Sequence, residues 1–361
     1  MVYNYINYHY GLLCPGKQKG KDMKIVVDGF GGDNAPREVV GGCITAVNLY
    51  NDVEIVLTGK EDLLRAELEF FGYKGNKISI LNATEVIDCN EQPTVAIRQK
   101  KDSSLVVGLN YIAENEDDKQ IAGFVSAGST GAVLSGALFK LGRMDGIKRP
   151  ALAPPLPNLQ GGHTLLIDCG ANMDSKPEFL CQFALMGSIY MESMFGVKNP
   201  RVGLLNVGVE DAKGNELCHQ AFALLKEMKN INFVGNMEAR DIMSGEYDVV
   251  VTDGFAGNVA LKSCEGSVAF ILKNLKTTIK TGGLKAKLGY LFLKKPLKEL
   301  KNKVDYKAIG GSPFLGCKRV VIKSHGNSDA TAILGSITLC RKIFLAGFTE
   351  KLKEQLAIKS E

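Results

Sequence analysis

Short apolar, β-branched runs alternate with segments of helical spacing along nearly the whole chain, and that alternation leaves few folds open. KIVVD (24–28), VEIVLTG (53–59), KISIL (77–81), IAGFVSAG (121–128), HTLLIDCG (163–170), RVGLLNVG (201–208), INFVG (231–235) and DVVVTDG (248–254) read as strands. Each is followed by apolar residues at helical spacing, most clearly in PEFLCQFALMGSIYMESMF (177–195). Strands that alternate with helices predict a layered α/β fold with a largely parallel sheet. Runs such as DVVVT are apolar without alternation, as a strand covered by helices on both faces requires.

In such sheets, ligands bind beyond the carboxyl ends of the strands, where helix N-termini present free N–H groups. Five of the strands end in glycine-bearing polar turns: DGFGGDN (28–34), SAGSTGA (126–132), DCGANMDSKPE (168–178), NVGVEDAKGNE (206–216) and DGFAGNV (253–259). A parallel sheet is expected to gather them on one edge. The DGF-x-G turn occurs twice, yet nothing around it repeats, so duplication explains it poorly. Asn258 of the second copy can donate a hydrogen bond where Asp33 of the first, as a carboxylate, cannot. In SAGSTGA, Gly128 allows close approach of the backbone, and Ser129 and Thr130 are either plain N-caps or anion ligands. Lys176 and Lys213 are point-charge donors suited to phosphate, or ordinary surface lysines.

Several chemistries are excluded by what is missing. There is no GxSxG elbow, HExxH pair, Walker loop or GxGxxG fingerprint. The nine cysteines form no CxxC pair, and with four histidines they leave little for a metal centre or a histidine relay. His325 in KSHGNSDA is a general-base candidate or a capping residue. Without a covalent nucleophile, direct transfer to a bound anion suits these loops best, with orientation and oxyanion stabilisation carrying the rate.

No apolar run reaches the roughly 18 residues of a membrane span. Scattered thiols suit a reducing, cytoplasmic setting. Residues 1–22 are expected to be a disordered extension, or to lie upstream of a natural start at Met23. Residues 23–346 are expected to form a single catalytic domain, with 347–361 as a C-terminal tail. RPALAPPLPNLQGG (149–162) is a soft joint that would pass between two lobes. The net charge of +5 is local rather than general: twelve lysines stand against three acids between Lys262 and Lys307. Within that block, Leu284, Leu288, Leu291 and Phe292 line one face of a predicted helix at about 281–304, which Pro296 is expected to interrupt. A basic amphipathic helix of this kind meets an anionic membrane surface, an acidic partner protein or a second copy of the chain. No nucleic-acid partner is expected.

Together the motifs MKIVVDGFGGDNAP, SAGSTGA, GANMDSKPEFLCQFALMGSIY, LLNVGVEDAKGNEL, FVGNMEARDIMSG, VVVTDGFAGNVALKSCEG and VVIKSHGNSDA resemble the PlsX family of bacterial phosphate acyltransferases, over about Met23 to Phe344. Departures are small: the family often has DAMGG where this chain has DGFGG, and commonly Asn at Ser129. The resemblance implies a three-layer α/β/α fold similar to isopropylmalate dehydrogenase and phosphotransacetylase, usually as a homodimer. It implies transfer of a fatty acyl group from acyl carrier protein to inorganic phosphate, giving acyl phosphate for phospholipid synthesis. No metal or nicotinamide cofactor is implied. Under this reading Lys213 and Asn258 are the catalytic candidates, holding the anionic partner and the tetrahedral oxyanion. Asp33, Asn34, Gly128, Ser129, Thr130, Asn172, Lys176 and Asp253 are the candidates for the pocket lining, and Leu288, Leu291 and Phe292 those for membrane contact at the inner face of the cell membrane. The rivals are a phosphotransacetylase-like enzyme using acyl coenzyme A, and a non-catalytic membrane scaffold.

Overall fold

The computed structural model describes residues 22–304 and 310–357. The expected N-terminal extension therefore lies, but for Asp22, outside the described residues. The strands in chain order are β1 (Met23–Asp28), β2 (Val53–Gly59), β3 (Ile78–Asn82), β4 (Ile121–Ser126), β5 (Ala151–Leu152) and β6 (Pro155–Pro157). They continue with β7 (His163–Ile167), β8 (Arg201–Asn206), β9 (Asn232–Glu238), β10 (Val249–Val251), β11 (Ser312–Leu315) and β12 (Val320–Lys323). The helices are α1 (Arg37–Leu49), α2 (Glu61–Phe70), α3 (Pro93–Gln99), α4 (Ser104–Glu114), α5 (Thr130–Gly136) and α6 (Pro177–Phe195). After them come α7 (Glu216–Glu227), α8 (Gly254–Thr281), α9 (Gly283–Val304), α10 (Ala330–Leu345) and α11 (Phe348–Ala357).

All eight strands expected from the apolar runs form, and they pair parallel with their neighbours as layered α/β chains do. They divide between two sheets, however, rather than sharing one. The first runs β3-β2-β1-β4-β12-β11-β5, and the second β6-β7-β10-β8-β9. The Pro-rich joint is where the chain changes sheets: β5 pairs antiparallel with β11 in the first, and β6 antiparallel with β7 in the second. The prolines of β6 are tolerated because β6 is an edge strand, where one side of the ladder is free. Four strands escape the sequence pattern, β5, β6, β11 and β12. Each is four residues or shorter, too brief to show a period.

Both faces of the two sheets are covered by buried clusters that run through both. Ile25, Leu57 and Val125 of the first belong to the same cluster as Ile167, Leu204 and Val251 of the second, and Val26 and Phe124 to another with Leu166 and Val250. Helix α6 fits its prediction to the residue, and ten of its residues are buried, from Leu180 to Met191. The stretch expected to be a C-terminal tail carries α11, whose Phe348 and Leu352 are buried. The Phe348 ring meets Tyr190 edge-on at 5.9 Å.

Helix α8 differs in kind, because only Gly254, Gly257 and Leu261 are buried along its 28 residues. Beyond its first two turns it leaves the body and returns as α9, none of whose residues is buried. Pro296 does not interrupt α9, contrary to the sequence expectation. It removes one i to i−4 bond, and on so exposed a helix water can satisfy the carbonyl left over.

Gly257 fixes where α8 docks. A Cβ there would fall 1.9 Å from the Asp168 carbonyl oxygen, whereas Gly266 on the same helix has nothing within 4 Å. Gly257→Ala is expected to destabilise the protein by about 3 kcal/mol, the upper end of the usual overpacking cost. Gly266→Ala is expected to stabilise it by about 0.5–1 kcal/mol, by relieving a helical glycine. Urea denaturation of the two variants checks both signs.

Candidate active site

Each sheet organises its strand-end loops around one buried carboxylate. In the first, Asp28 ends β1 at 2% exposure. Its oxygens accept hydrogen bonds from Ser104 Oγ at 2.6 Å, Ser126 Oγ at 2.7 Å and the Phe30 amide at 3.2 Å. Burial pushes this carboxyl above its ordinary range, and the hydroxyl and amide donors pull it back. The loop after β1 is thereby folded onto the loop after β4. A Cβ on Gly31 would lie 2.7 Å from the Gly128 nitrogen, so no larger residue fits. The same loop reaches the turn after β12: the Asp33 amide donates to the Gly326 carbonyl at 2.7 Å, and Asn34 Nδ2 to the Ser328 carbonyl at 3.2 Å.

Asp33 and Asn34 keep exposed side chains above this junction. Gly128 is buried, and its amide is held by Ser126 Oγ at 3.0 Å. Ser129 is the N-cap of α5, but its hydroxyl makes no capping hydrogen bond. Of the two roles open to it from sequence, capping is the one its side chain does not fill. Thr130 begins the helix beside it, half-exposed.

The second sheet repeats the device with Asp168, one residue past β7 and 0% exposed. Its carboxylate accepts from the amides of Leu152 (2.9 Å), Ala171 (3.1 Å) and Asn172 (2.7 Å), and from Asn172 Nδ2 (2.9 Å). Burial again raises the carboxyl and these donors oppose it. The Asn172 amide group also donates to the Pro150 carbonyl at 2.8 Å, and the Asn172 carbonyl accepts from the Gly254 amide at 2.8 Å. Asn172 thus ties the joint, the loop and the start of α8 together. Asp253 caps α8, its Oδ1 accepting from the Ala256 amide at 2.8 Å.

Strand β10 lies between β7 and β8, so the first turn of α8 stands between the loops that follow those strands. Asn258, half-exposed, lies over Gly170, 3.6 Å from the point a Cβ would occupy there. On the other side, Lys213 lays its stem across Gly208, 3.1 Å from the corresponding point. Asn206 Nδ2 holds the Lys213 carbonyl at 2.9 Å, and the Lys213 amide donates to the Glu210 carbonyl at 3.0 Å. Its ammonium, exposed, joins no ion pair among the described residues. Lys176, the extended N-cap of α6, is exposed as well. The structure therefore brings Asn172, Lys176, Lys213, Asp253 and Asn258 to the second sheet, and Asp33, Asn34, Gly128, Ser129 and Thr130 to the first. Leu288, Leu291 and Phe292 are exposed on α9, on the hairpin rather than in these loops.

Two lysines not singled out from sequence connect the two groups. Lys323 ends β12, part-buried, with its ammonium donating to the Ser324 carbonyl. Burial pushes this amine down to about 8; Cys89 opposes the shift, Lys262 adds to it, and Asp33 opposes it. Lys262 stands four residues after Asn258, on the same face of α8, paired with Glu265 at 2.7 Å. Lys323 is thus in electrostatic reach of Asp33 in the first sheet and of Lys262 on the helix of the second. Its strand is too short to announce itself, and Lys262 is hidden at the edge of the lysine block.

A pair of strand-end loop clusters, rich in amide and ammonium donors, on an α/β framework is chemically suited to an enzyme with an anionic substrate. Residues 23–351 match the model of a family described as fatty acid synthesis protein. The chain is 47% identical over 338 residues to a phosphate acyltransferase of Clostridium perfringens, covering 94% of this chain and 98% of that one. It is 49% identical over 335 residues to a phosphate acyltransferase of Halothermothrix orenii, covering 92% and 98%. For a phosphate acyltransferase of Bacillus licheniformis the identity is 48% over 339 residues, covering 94% and 100%. Among solved structures, the EutD phosphotransacetylase from Staphylococcus aureus aligns at TM-score 0.57 and 14% identity, covering 96% of this chain and 99% of that one. A Streptococcus pyogenes phosphotransacetylase aligns at TM-score 0.57 and 18% identity, covering 90% and 95%; these two likenesses concern the fold alone. The chain belongs to the fatty acid synthesis protein family. Within it, it stands with the phosphate acyltransferases, and it is a transferase.

The position of Lys323 sets a pH dependence. Its depressed amine is charged below about 8 and neutral above, where an ordinary lysine stays charged beyond pH 10. Affinity for inorganic phosphate, measured by calorimetry, is expected to fall as pH rises through about 8. Lys323→Arg is expected to remove that fall, because a guanidinium keeps its proton.

Proposed function

We propose that this enzyme moves a long-chain fatty acyl group from acyl carrier protein to inorganic phosphate, giving the acyl phosphate that feeds phospholipid synthesis. The observation that carries this reading is the placement of an amide donor, Asn258 at the start of α8, and an ammonium, Lys213, that joins no ion pair among the described residues, beyond the ends of neighbouring strands. Phosphate is already an oxyanion, so no side-chain nucleophile is required. A phosphate oxygen attacks the thioester carbonyl carbon, and the carbonyl oxygen becomes the oxyanion. Asn258 Nδ2 donates to that oxyanion, while Lys213 neutralises the phosphate. Collapse of the tetrahedral species breaks the carbon–sulfur bond, and the carrier thiolate leaves and takes a proton from water. The hydroxyls of Ser129 and Thr130, and Lys176, Lys262 and Lys323, are the remaining donors around the anion. Asn172 and Asp253 serve by holding the loops in place.

Losing one oxyanion donor costs about 10²–10³ in turnover. Asn258→Ala is expected to show a loss of that size in acyl phosphate formation from palmitoyl carrier protein, and Lys213→Ala to raise the KM for phosphate as well. Near-normal turnover in either folded variant would remove that residue from the mechanism. The same assay with acyl coenzyme A as donor tests the phosphotransacetylase-like alternative.

The hairpin supports a peripheral position on the inner face of the cell membrane. Leu288, Leu291 and Phe292 are exposed on α9, Phe292 at 85%, and lysines flank them along the helix. A helix of this composition gains from apolar burial and from anionic headgroups together. Flotation with vesicles of anionic phospholipid is expected to carry the protein up, and Leu291→Glu with Phe292→Glu to leave it behind. If the double variant floats unchanged, the hairpin serves the carrier protein or a homodimer interface instead.

A further inference from the structure

Five apolar side chains stay exposed around Asn258 and Lys213: Met173 at 50%, Val207 at 79%, Val209 at 55%, Phe255 at 65% and Val259 at 52%. They stand on the loops after β7 and β8 and on the start of α8 after β10, and these strands are neighbours in the order β7, β10, β8. Adjacent strands lie about 4.8 Å apart, which sets these three segments side by side. The methyl of Met173 lies 3.8 Å from the Cβ point of Gly170, the point that Asn258 approaches to 3.6 Å, so both side chains border that glycine. Phe255 precedes Asn258 by three residues on α8, and Val259 follows Phe255 by four, which puts all three on one side of the helix. Val207 and Val209 bracket Gly208, the residue across which the Lys213 stem lies. The two groups that are to handle charge are therefore set in an apolar collar.

We propose that this collar seats the methylenes of the acyl chain nearest the thioester. The proposal rests on the acyl-transfer reading above and gives it a location. A thioester carbonyl held at Asn258 sends its acyl chain in one direction and the thiol arm of the carrier in the other. The first several methylenes must then rest on whatever flanks Asn258, and what flanks it is apolar. Each methylene withdrawn from water gains about a factor of four in affinity. Polar loops would give that up and leave chain length unread at this point. The hairpin cannot do the same work for these methylenes, because its exposed apolar residues begin at Phe270, about 16 Å beyond Val259 along α8.

The test compares carrier protein charged with palmitoyl and with acetyl groups, since acetyl carries no methylene to rest on the collar, using Val207→Ser with Val209→Ser, and separately Val259→Ser. All three side chains are exposed, so polar replacements leave the core untouched. The palmitoyl-to-acetyl ratio of kcat/KM is expected to fall at least tenfold in the double variant, and several-fold in the single one. A ratio that stays within twofold of wild type in both variants would overturn the proposal. So would a change in oligomeric state on size-exclusion chromatography with both donors slowed equally, since the collar would then be a contact between two copies of the chain. Wild-type protein that makes no acyl phosphate from either donor would sink the transfer reading itself. A competent wild type with an unmoved ratio would sink this inference alone.

Discussion

Two buried carboxylates, Asp28 and Asp168, hold the working face of this molecule in shape. Each ends or follows a central strand, one per sheet; Asp28 gathers three donors from its surroundings and Asp168 four. A carboxylate withdrawn from water is costly unless such donors surround it, and once surrounded it rigidly specifies where they sit. Asp28 fixes the approach of the first loop to Gly128. Asp168 fixes Asn172, and through Asn172 the beginning of α8. Asn258 is positioned through Asp168, whereas Lys213 is held separately, by Asn206 Nδ2 on its carbonyl. Asn258 stands where it does because Gly257 lets α8 rest on the Asp168 carbonyl.

This separation explains what was legible in the sequence. Eight strands and helix α6 show because their apolar periods are long enough to read, and the glycine turns show because their composition is unusual. The repeated DGF-x-G motif suggests that Asp28 and Asp253 are counterparts, but their surroundings differ. Asp253 is a half-exposed helix cap with one bond to Ala256. The true counterpart of Asp28 is Asp168, in the sequence context IDCG, which shares only Asp and a nearby glycine with it. A motif records local backbone needs; a buried anchor is defined by donors that arrive from distant segments, Ser104 and Ser126 in one case and Leu152 in the other. The same holds for Asn172, whose residue type suits a ligand and whose amide is bonded to Asp168 and Pro150. Lys323 was invisible for a related reason, since its depressed amine depends on burial that only the assembled strand order creates.

The division into two sheets also changes the meaning of the loops. A single sheet would have placed all five on one edge. With two, the loops form a group at each sheet, linked through the joint at 149–162 and by Lys323, whose amine is influenced by both Asp33 and Lys262. Donors held in fixed orientation on such loops need no covalent participant to favour transfer to an anion.

Helix α8 joins the crevice to the outside of the molecule. Asn258 lies in its first turn, and Thr281 ends it 23 residues later, about 35 Å away. The first two turns are locked onto the body, while the remainder carries exposed Phe270 and Ile271 and leads into the lysine-rich α9. Whatever the hairpin rests on therefore fixes the orientation of the whole enzyme through one rigid element. The loops on either side of Asn258 are tied to Asp168 and Asn206 and stay independent of that contact. A contact made through the hairpin therefore leaves the anchors of those loops where they are.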